Sequence, residues 1–311
     1  MIVLLGGATG TGKTSLSLDV AEAIAAAGSA AEVVNADAMQ LYRGMDIGTA
    51  KLPVADRRGI RHHCFDLWDV TETASVVAYR DAARTAIRDI EARGAVALLV
   101  GGSGLYVEAV LRELDFPATD PELRADLEQQ ADQLGPDAIW RRLAEADPVA
   151  AGRIPSGNLR RVIRALEVVT LTGRPYAASL PDQGAWWAPA VRVTVDADGE
   201  VLQRRLADRA QRMWAGGLLD EVRHLLPNGL AEATTAARAV GYAQALAVLR
   251  GDLSVEEGIE DTIRLTWRMV RRQRAWFGRD DGAIRVDGAD PSAAGVVLAA
   301  LEAAGTGPGS I

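Results

Sequence analysis

Residues 1–14 read Met1-Ile2-Val3-Leu4-Leu5-Gly6-Gly7-Ala8-Thr9-Gly10-Thr11-Gly12-Lys13-Thr14. The apolar run Ile2 to Leu5 ends in glycines, and Gly7 to Thr14 matches G-x-x-x-x-G-K-[ST]. Residues 14–27 carry Leu16, Leu18, Val20, Ala21 and Ile24 at helical spacing and are stopped by Gly28. Strand, glycine-rich loop and helix stand in the order that this pattern needs. Backbone N–H groups of Gly7, Ala8, Thr9, Gly10, Thr11 and Gly12, with the helix N-terminus behind them, form an anion cradle. Lys13 then binds phosphate oxygens as a compact charge, and the Thr14 hydroxyl is placed to ligate Mg²⁺. The stretch predicts a phosphorylated ligand.

Working outward, Glu32-Val33-Val34-Asn35 reads as a second strand, followed by a loop from Asp37 to Pro53. A helix is expected over about 75–93, and Ala95 to Val100 is an apolar run bounded by Gly94 and Gly101-Gly102. Continuous apolar runs separated by helices indicate a parallel sheet covered on both faces. From Pro117 the pattern turns helical, broken by Pro121, Gly135-Pro136, Pro148, Pro155 and Gly157. Val191 to Asp196 is a further strand, residues 200–279 are helical again, and a Gly/Pro-flanked tail closes the chain. The expected fold is α/β: a P-loop NTPase-like parallel sheet core, residues 1–116 and 185–311, interrupted by an all-helical subdomain at 117–184.

The chain has 311 residues, with 34 Lys+Arg against 42 Asp+Glu and a net charge of −8. Hydrophobic content of 49% and charge of 24% exclude a disordered or collagen-like polymer. Only two of the basic residues are lysines, Lys13 and Lys51, and the other 32 are arginines. Lys13 falls inside the phosphate motif, whereas Lys51 reads as a surface lysine. The single cysteine, Cys64, excludes an intramolecular disulfide and a multi-Cys zinc site, fits a reducing cytosol, and reads as a small buried hydrophobe. No stretch approaches the roughly 20 apolar residues that cross a bilayer, and Met1 is followed at once by apolar residues without a charged leader. A cytoplasmic protein with no membrane partner is expected. His62-His63 reads as structural and His224 as a surface residue.

The reaction is less directly written. A P-loop ATPase or kinase carries an acidic residue at the end of a later strand to hold Mg²⁺; here Ala95 to Val100 runs into Gly101-Gly102-Ser103-Gly104. That segment is either a plain strand-to-helix turn or a source of amides and a hydroxyl for a diphosphate. Asp37 sits at the carboxyl edge of the sheet, where α/β proteins bind ligands, and is either a helix cap or a general base. Residues 151–176 hold Arg153, Arg160, Arg161, Arg164 and Arg174 against Glu167 alone. Residues 264–279 hold six arginines and no acid, interleaved with Trp267, Trp276 and Phe277. Both clusters fit a solvated helix face over core tryptophans, or phosphate binding with bases stacked on aromatics. The acidic net charge argues against a broad nucleic-acid coat while leaving room for such local faces.

The strand and P-loop start, the stretch Asp37 to Pro53, and Leu99-Val100-Gly101-Gly102-Ser103-Gly104-Leu105-Tyr106 together resemble the tRNA dimethylallyltransferase (isopentenylpyrophosphate transferase) family. The likeness continues through Arg161 to Val168, Thr172-Gly173-Arg174-Pro175, Gly216 to Val222, Val240-Gly241-Tyr242 and Arg271-Arg272-Gln273-Arg274-Ala275-Trp276-Phe277, covering about residues 2–279 in order. The resemblance implies transfer of a dimethylallyl group from dimethylallyl diphosphate, with Mg²⁺, to the exocyclic amine of the adenosine just after the anticodon of a tRNA. Asp37 then matches the general base; Lys13, Thr14 and Ser103 match diphosphate- and metal-side groups; Arg209, in Arg209-x-x-x-Met213, matches the arginine that neutralises the leaving diphosphate. Residues aligned with tRNA-contacting stretches are Asp37, Ala38, Met39 and Gln40; Gly157, Asn158, Leu159, Arg160 and Arg161; Arg238, Gly241 and Tyr242; and Arg271, Arg272, Gln273, Arg274 and Trp276. The helical insertion is expected to clamp the anticodon stem-loop, and the protein to act as a monomer because the arginine clusters need open surface.

Several positions depart from the family pattern: Ala8 and Gly10 in the P-loop, Ala38 after the catalytic aspartate, Gly157-Asn158 in the insertion, Trp267 for an arginine and Ala275 for a threonine. Ser103 for threonine keeps the hydroxyl. The departures at 38, 158, 267 and 275 put the acceptor in question more than the donor. An adenylate isopentenyltransferase acting on AMP, ADP or ATP is the nearest alternative. A P-loop small-molecule kinase and a catalytically dead RNA-binding protein are the others.

Overall fold

In a computed structural model, residues 1–117, 119–176 and 184–305 are described. The opening apolar run forms β1 (Ile2–Gly7), every residue of which is buried. Its alternate side chains serve opposite faces of the sheet: Ile2 and Leu4 join one core cluster and Val3 and Leu5 another. This requires helices on both sides, and they follow in sequence. After β1 come α1 (Lys13–Ala26), β2 (Ala31–Asn35), the two-residue β3 (His62–His63), α2 (Val76–Ala92), β4 (Val96–Gly101) and α3 (Gly104–Leu111).

Four helices then occupy the insertion: α4 (Pro121–Leu134), α5 (Pro136–Ala146), α6 (Pro148–Arg153) and α7 (Leu159–Thr172). The chain returns through β5 (Ala190–Asp196), α8 (Gly199–Ala215), α9 (Leu218–Leu225), α10 (Tyr242–Arg250), α11 (Val255–Phe277), β6 (Ile284–Asp287) and α12 (Ala293–Gly305). The six strands lie in the order β3-β2-β4-β1-β5-β6, and every pairing is parallel. The sheet is the expected parallel α/β core, and its P-loop strand is flanked by β4 and β5. The closing segment differs from its reading as a tail: Ile284–Asp287 adds an edge strand to β5, and α12 packs Ala293 and Val297 into the core beside α1. Residues 200–279 form four helices separated by turns.

The chain divides into two compact units, Met1–Leu111 with Trp187–Ile311, and Arg112–Trp186. The second has its own core, in which Leu127, Ile139, Leu143, Ile154, Val162 and Leu166 are almost wholly buried. Its helices start where the sequence breaks them. Asp120 caps α4 by accepting from the amides of Glu122 and Leu123, with Pro121 at the first helical position. Asp147 accepts from Ala150 N at 2.9 Å to cap α6, and from Tyr176 N.

Two glycines decide the site's shape. Gly12 has φ +95°, a left-handed conformation that turns the phosphate loop into α1. Gly101 ends β4 against the carbonyl of Ala36, where any Cβ would collide with it. No side chain fits at this strand end, which gives a steric reason for the missing acidic residue.

Candidate active site

The P-loop crosses from β1 to α1 at the carboxyl edge of the sheet and borders a cavity of about 450 Å³. Thr9, Gly10, Gly12, Lys13 and Thr14 line it. Gly7, Ala8 and Thr11 are buried and face the protein instead; the Thr11 hydroxyl donates to the Ala8 carbonyl at 2.9 Å and shapes the loop from behind. Lys13 Nζ donates to the same carbonyl at 2.6 Å.

Opposite the loop, Arg205, Arg209 and Arg212 stand at i, i+4 and i+7 of α8 and line the same cavity. Only Arg209 had been singled out; the helical spacing of the other two is the signal that could have found them. Burial pushes the Lys13 ammonium down to about 8, with Arg209 lowering it further and Asp37 opposing both. Burial and the nearby Arg212 likewise lower Arg209, against the pull of Asp37. Cations gathered at such a cost select an anion that neutralises them.

Asp37 follows β2, whose last residue orients it: Asn35 Oδ1 accepts from Asp37 N at 3.0 Å, while Asn35 Nδ2 donates to the Cys64 carbonyl at 3.0 Å. Asp37 Oδ1 in turn accepts from Met39 N at 3.0 Å. Cys64 itself is buried, its thiol pushed up to about 12, so it serves this turn through its carbonyl. A second cavity of about 210 Å³ opens on the other side of Asp37, lined by Ala38, Met39, Ser103, Met213, Thr266 and Met269 among others. Thr9, Asp37 and Arg209 line both cavities. Ser103, expected on the diphosphate side, lines the second cavity, where its Oγ accepts from Ala38 N at 3.1 Å. His62, read as structural, lines the first; burial lowers its pKa, and its Nδ1 bonds the Ile60 carbonyl at 2.9 Å. His63 pairs with Glu32 at 2.6 Å and is structural.

The remaining expected nucleic-acid contacts divide sharply. Arg238, Arg271 and Arg272 are exposed, as are Gly157, Asn158, Arg160 and Arg161 at the head of α7, with Leu159 half-buried in the insertion's core. Gln40 lines the first cavity, and its amide donates to the Thr49 carbonyl at 3.1 Å.

Five of the expected contacts are engaged inside the protein. Tyr242 is fully buried with its hydroxyl on Glu221, and Gly241 is buried beside it, so neither offers a free surface. Gln273 spends its amide inside the protein, accepting from Thr9 N at 2.9 Å and donating to the Gly102 carbonyl at 3.0 Å. Arg274 is paired with Asp196 at 2.9 Å. Trp276 packs against Gly104 and the core rather than standing free to stack.

Two further arginine and lysine readings change. In the insertion, Arg164 turns inward with Arg124 onto Glu167, each at 2.7 Å, which removes it from the basic face. Burial raises the Glu167 carboxyl, and hydrogen bonds from Arg124, Arg164 and Asp120 N outweigh it and hold the group below the usual carboxylate range. Lys51 is no surface lysine: its side chain is 4% exposed and bridges Asp46 and Asp66, each at 2.6 Å.

A parallel sheet with a phosphate cradle at its carboxyl edge, no room for the acidic strand end of a hydrolase, and an aspartate between a cationic and a largely apolar cavity define a P-loop-type group transferase. The IPP transferase family profile matches residues 40–280. The chain belongs to that family. It is 54% identical over 303 residues to the tRNA dimethylallyltransferase of Clavibacter sepedonicus, covering 97% of this chain and 98% of that one. Among solved structures it is similar to the full-length tRNA isopentenylpyrophosphate transferase of Bacillus halodurans, with TM-score 0.69 and 33% identity, over 97% of each chain. It is also similar to a eukaryotic dimethylallyltransferase acting on tRNA, with TM-score 0.72 and 26% identity, over 94% of this chain and 74% of that one.

Proposed function

We propose that this chain transfers a dimethylallyl group from dimethylallyl diphosphate to the exocyclic amine of the adenosine beside the anticodon in tRNA, releasing diphosphate. The observation that carries the reading is the shared wall: Asp37 and Arg209 border both the P-loop cavity and the Met-lined one. The diphosphate lies against the P-loop amides, Lys13 and Arg209; the adenine enters from the other side. The amine nitrogen forms a bond to the allylic carbon as the carbon–oxygen bond breaks, and diphosphate leaves with the electron pair. Asp37 takes the amine proton. Arg209 meets the charge that develops on the leaving oxygen, an effect worth about 3–4 kcal/mol for one well-placed donor.

Magnesium fits this site. The Thr14 hydroxyl presents a hard oxygen to the first cavity beside the P-loop. Among the described residues there is no group of three or more His, Cys, Asp or Glu side chains that could hold a metal ion, so diphosphate and water would complete the shell. Bound there, the ion would neutralise diphosphate charge. Extracting the adenosine costs a few kcal/mol of unstacking, about what phosphate contacts can offset. Exposed arginines on α11 and, separately, on the insertion supply such contacts, and we take the insertion, here Arg112–Trp186, as the part that grips the anticodon arm. The protein would work as a single copy in the cytoplasm; among the described residues no helix is long and apolar enough to cross a membrane.

The test offers labelled dimethylallyl diphosphate and Mg²⁺ with, in parallel, an unmodified tRNA carrying adenosine beside the anticodon, AMP, or ATP. Label is expected in the tRNA. Label in AMP alone would overturn the tRNA reading, and ATP turnover without prenylation would make the protein a kinase.

A further inference from the structure

The segment Asp46–Lys51 runs along the wall between the two cavities, with Thr49 lining one and Ala50 the other. Two charged side chains anchor its ends. Glu221, in the first turn of α9, accepts from the amides of Asp46 at 3.0 Å, Ile47 at 2.7 Å and Gly48 at 3.1 Å, and from the Tyr242 hydroxyl. Lys51 spends its three ammonium hydrogens on Asp46 and Asp66, each at 2.6 Å, and on the Tyr42 carbonyl at 2.9 Å. Between the anchors lies the Thr49 carbonyl, which accepts from Arg209 Nη2 at 3.0 Å.

We infer that Lys51 and Glu221 are positioning residues for Arg209, acting through the Thr49 carbonyl that they hold in place. The inference rests on the prenyl-transfer reading above. Its physical logic is that an arginine meant to stabilise a departing diphosphate must be aimed without being neutralised. A carboxylate partner would fix the guanidinium and cancel much of its charge, whereas a carbonyl fixes it and leaves the charge for the leaving group. A carbonyl in a loop aims nothing unless the loop is held. The buried ammonium and the triply bonded carboxylate do that without themselves facing the diphosphate: neither residue lines either cavity.

A double-mutant cycle tests this. Prenylation of tRNA is measured for Lys51→Met and Glu221→Gln, each alone and combined with Arg209→Gln, with thermal unfolding followed for every variant. Each single variant is expected to lower kcat at least about tenfold with KM for dimethylallyl diphosphate within about threefold, and to cost less than about twofold more once Arg209 is gone. The drop in Tm should be the same in both backgrounds, and Lys51→Arg, whose planar fork does not match three converging acceptors, should not restore kcat. Equal fold-losses with and without Arg209 would overturn the inference and leave a structural role only. If Lys51→Met does not accumulate as folded protein, Asp46→Asn weakens the same anchor from an exposed side chain, and its cycle with Arg209→Gln is read the same way. Failure of the unaltered protein to prenylate tRNA would instead count against the functional reading.

Discussion

Gln273 Oε1 accepts from the backbone N–H of Thr9 at 2.9 Å, tying α11 to the phosphate loop across 264 residues of sequence. The other end of the same amide donates to Gly102 at 3.0 Å, so one side chain joins the ends of β1 and β4. Gln273→Leu therefore strands two backbone groups, at about 1–3 kcal/mol each where they are buried. The variant is expected to melt several degrees lower and to show a raised KM for dimethylallyl diphosphate. The salt dependence of tRNA binding should stay as it was. A change confined to the salt slope would return Gln273 to the nucleic-acid surface.

Lys13 gives the donor site a pH limit. With its ammonium held down to about 8, Lys13 is charged well below that value in the free site and loses its charge as pH rises through it. Affinity for the diphosphate should then fall above about pH 8, by up to tenfold per pH unit while the bound anion keeps the lysine protonated. Titration calorimetry with inorganic diphosphate between pH 7 and 9.5 reads this directly. Lys13→Arg should bind more weakly and show no such arm, because a guanidinium stays charged.

Asp37→Asn retains an oxygen to accept from Met39 N and removes the basic carboxylate. Donor and tRNA binding should persist, and single-turnover prenylation should fall about 10²- to 10⁴-fold, the usual contribution of a positioned base. A near-normal rate in that variant would sink the assignment.

Arg272 and Arg274 stand two residues apart and should behave differently. Arg272 is exposed, whereas Arg274 is paired with Asp196. Replacing Arg272 by Ala should weaken tRNA binding and reduce the slope of log K against log salt by about 0.7–0.9. Arg274→Ala should leave that slope alone and lower the Tm. Filter binding across a salt series separates the two.

Glu167 makes the insertion acid-sensitive. Its carboxyl is held below the ordinary 4.5, so its contribution is complete above pH 4.5 and is lost as pH falls through the lower folded value. Amide protection factors, which normalise for the intrinsic exchange rate, should fall in α4 and α7 below pH 4.5 before those of the sheet strands, and Glu167→Gln should flatten this dependence. Unfolding of both units at one midpoint, with no earlier exchange in the insertion, would contradict it.

The phosphate loop, the parallel sheet and the helical insertion were legible in the sequence because each is a local or periodic feature. A glycine-rich turn needs its glycines within a few positions, a doubly covered strand must be apolar throughout, and helix starts carry their own caps. The roles proposed for Asp37 and Arg209 come only from resemblance, since nothing local distinguishes a base from a helix cap. The edge strand Ile284–Asp287 was missed because a four-residue strand with only its alternate side chains half-buried carries little signal.

What tertiary structure alone decided is how the charges are spent. Read along the chain, Arg164, Arg271, Arg272 and Arg274 are equivalent, and Lys51 reads as a surface lysine in a loop. In the fold, Arg164 and Arg274 meet carboxylates, Arg271 and Arg272 stay exposed, and Lys51 is buried among three acceptors. Partners at such sequence separations are set by packing, because Coulomb energy depends on distance and dielectric and not on position in the chain. The sequence by itself marked a P-loop at which a phosphorylated ligand is expected; the fold decided which of its few lysines and many arginines meet carboxylates and carbonyls and which stay exposed.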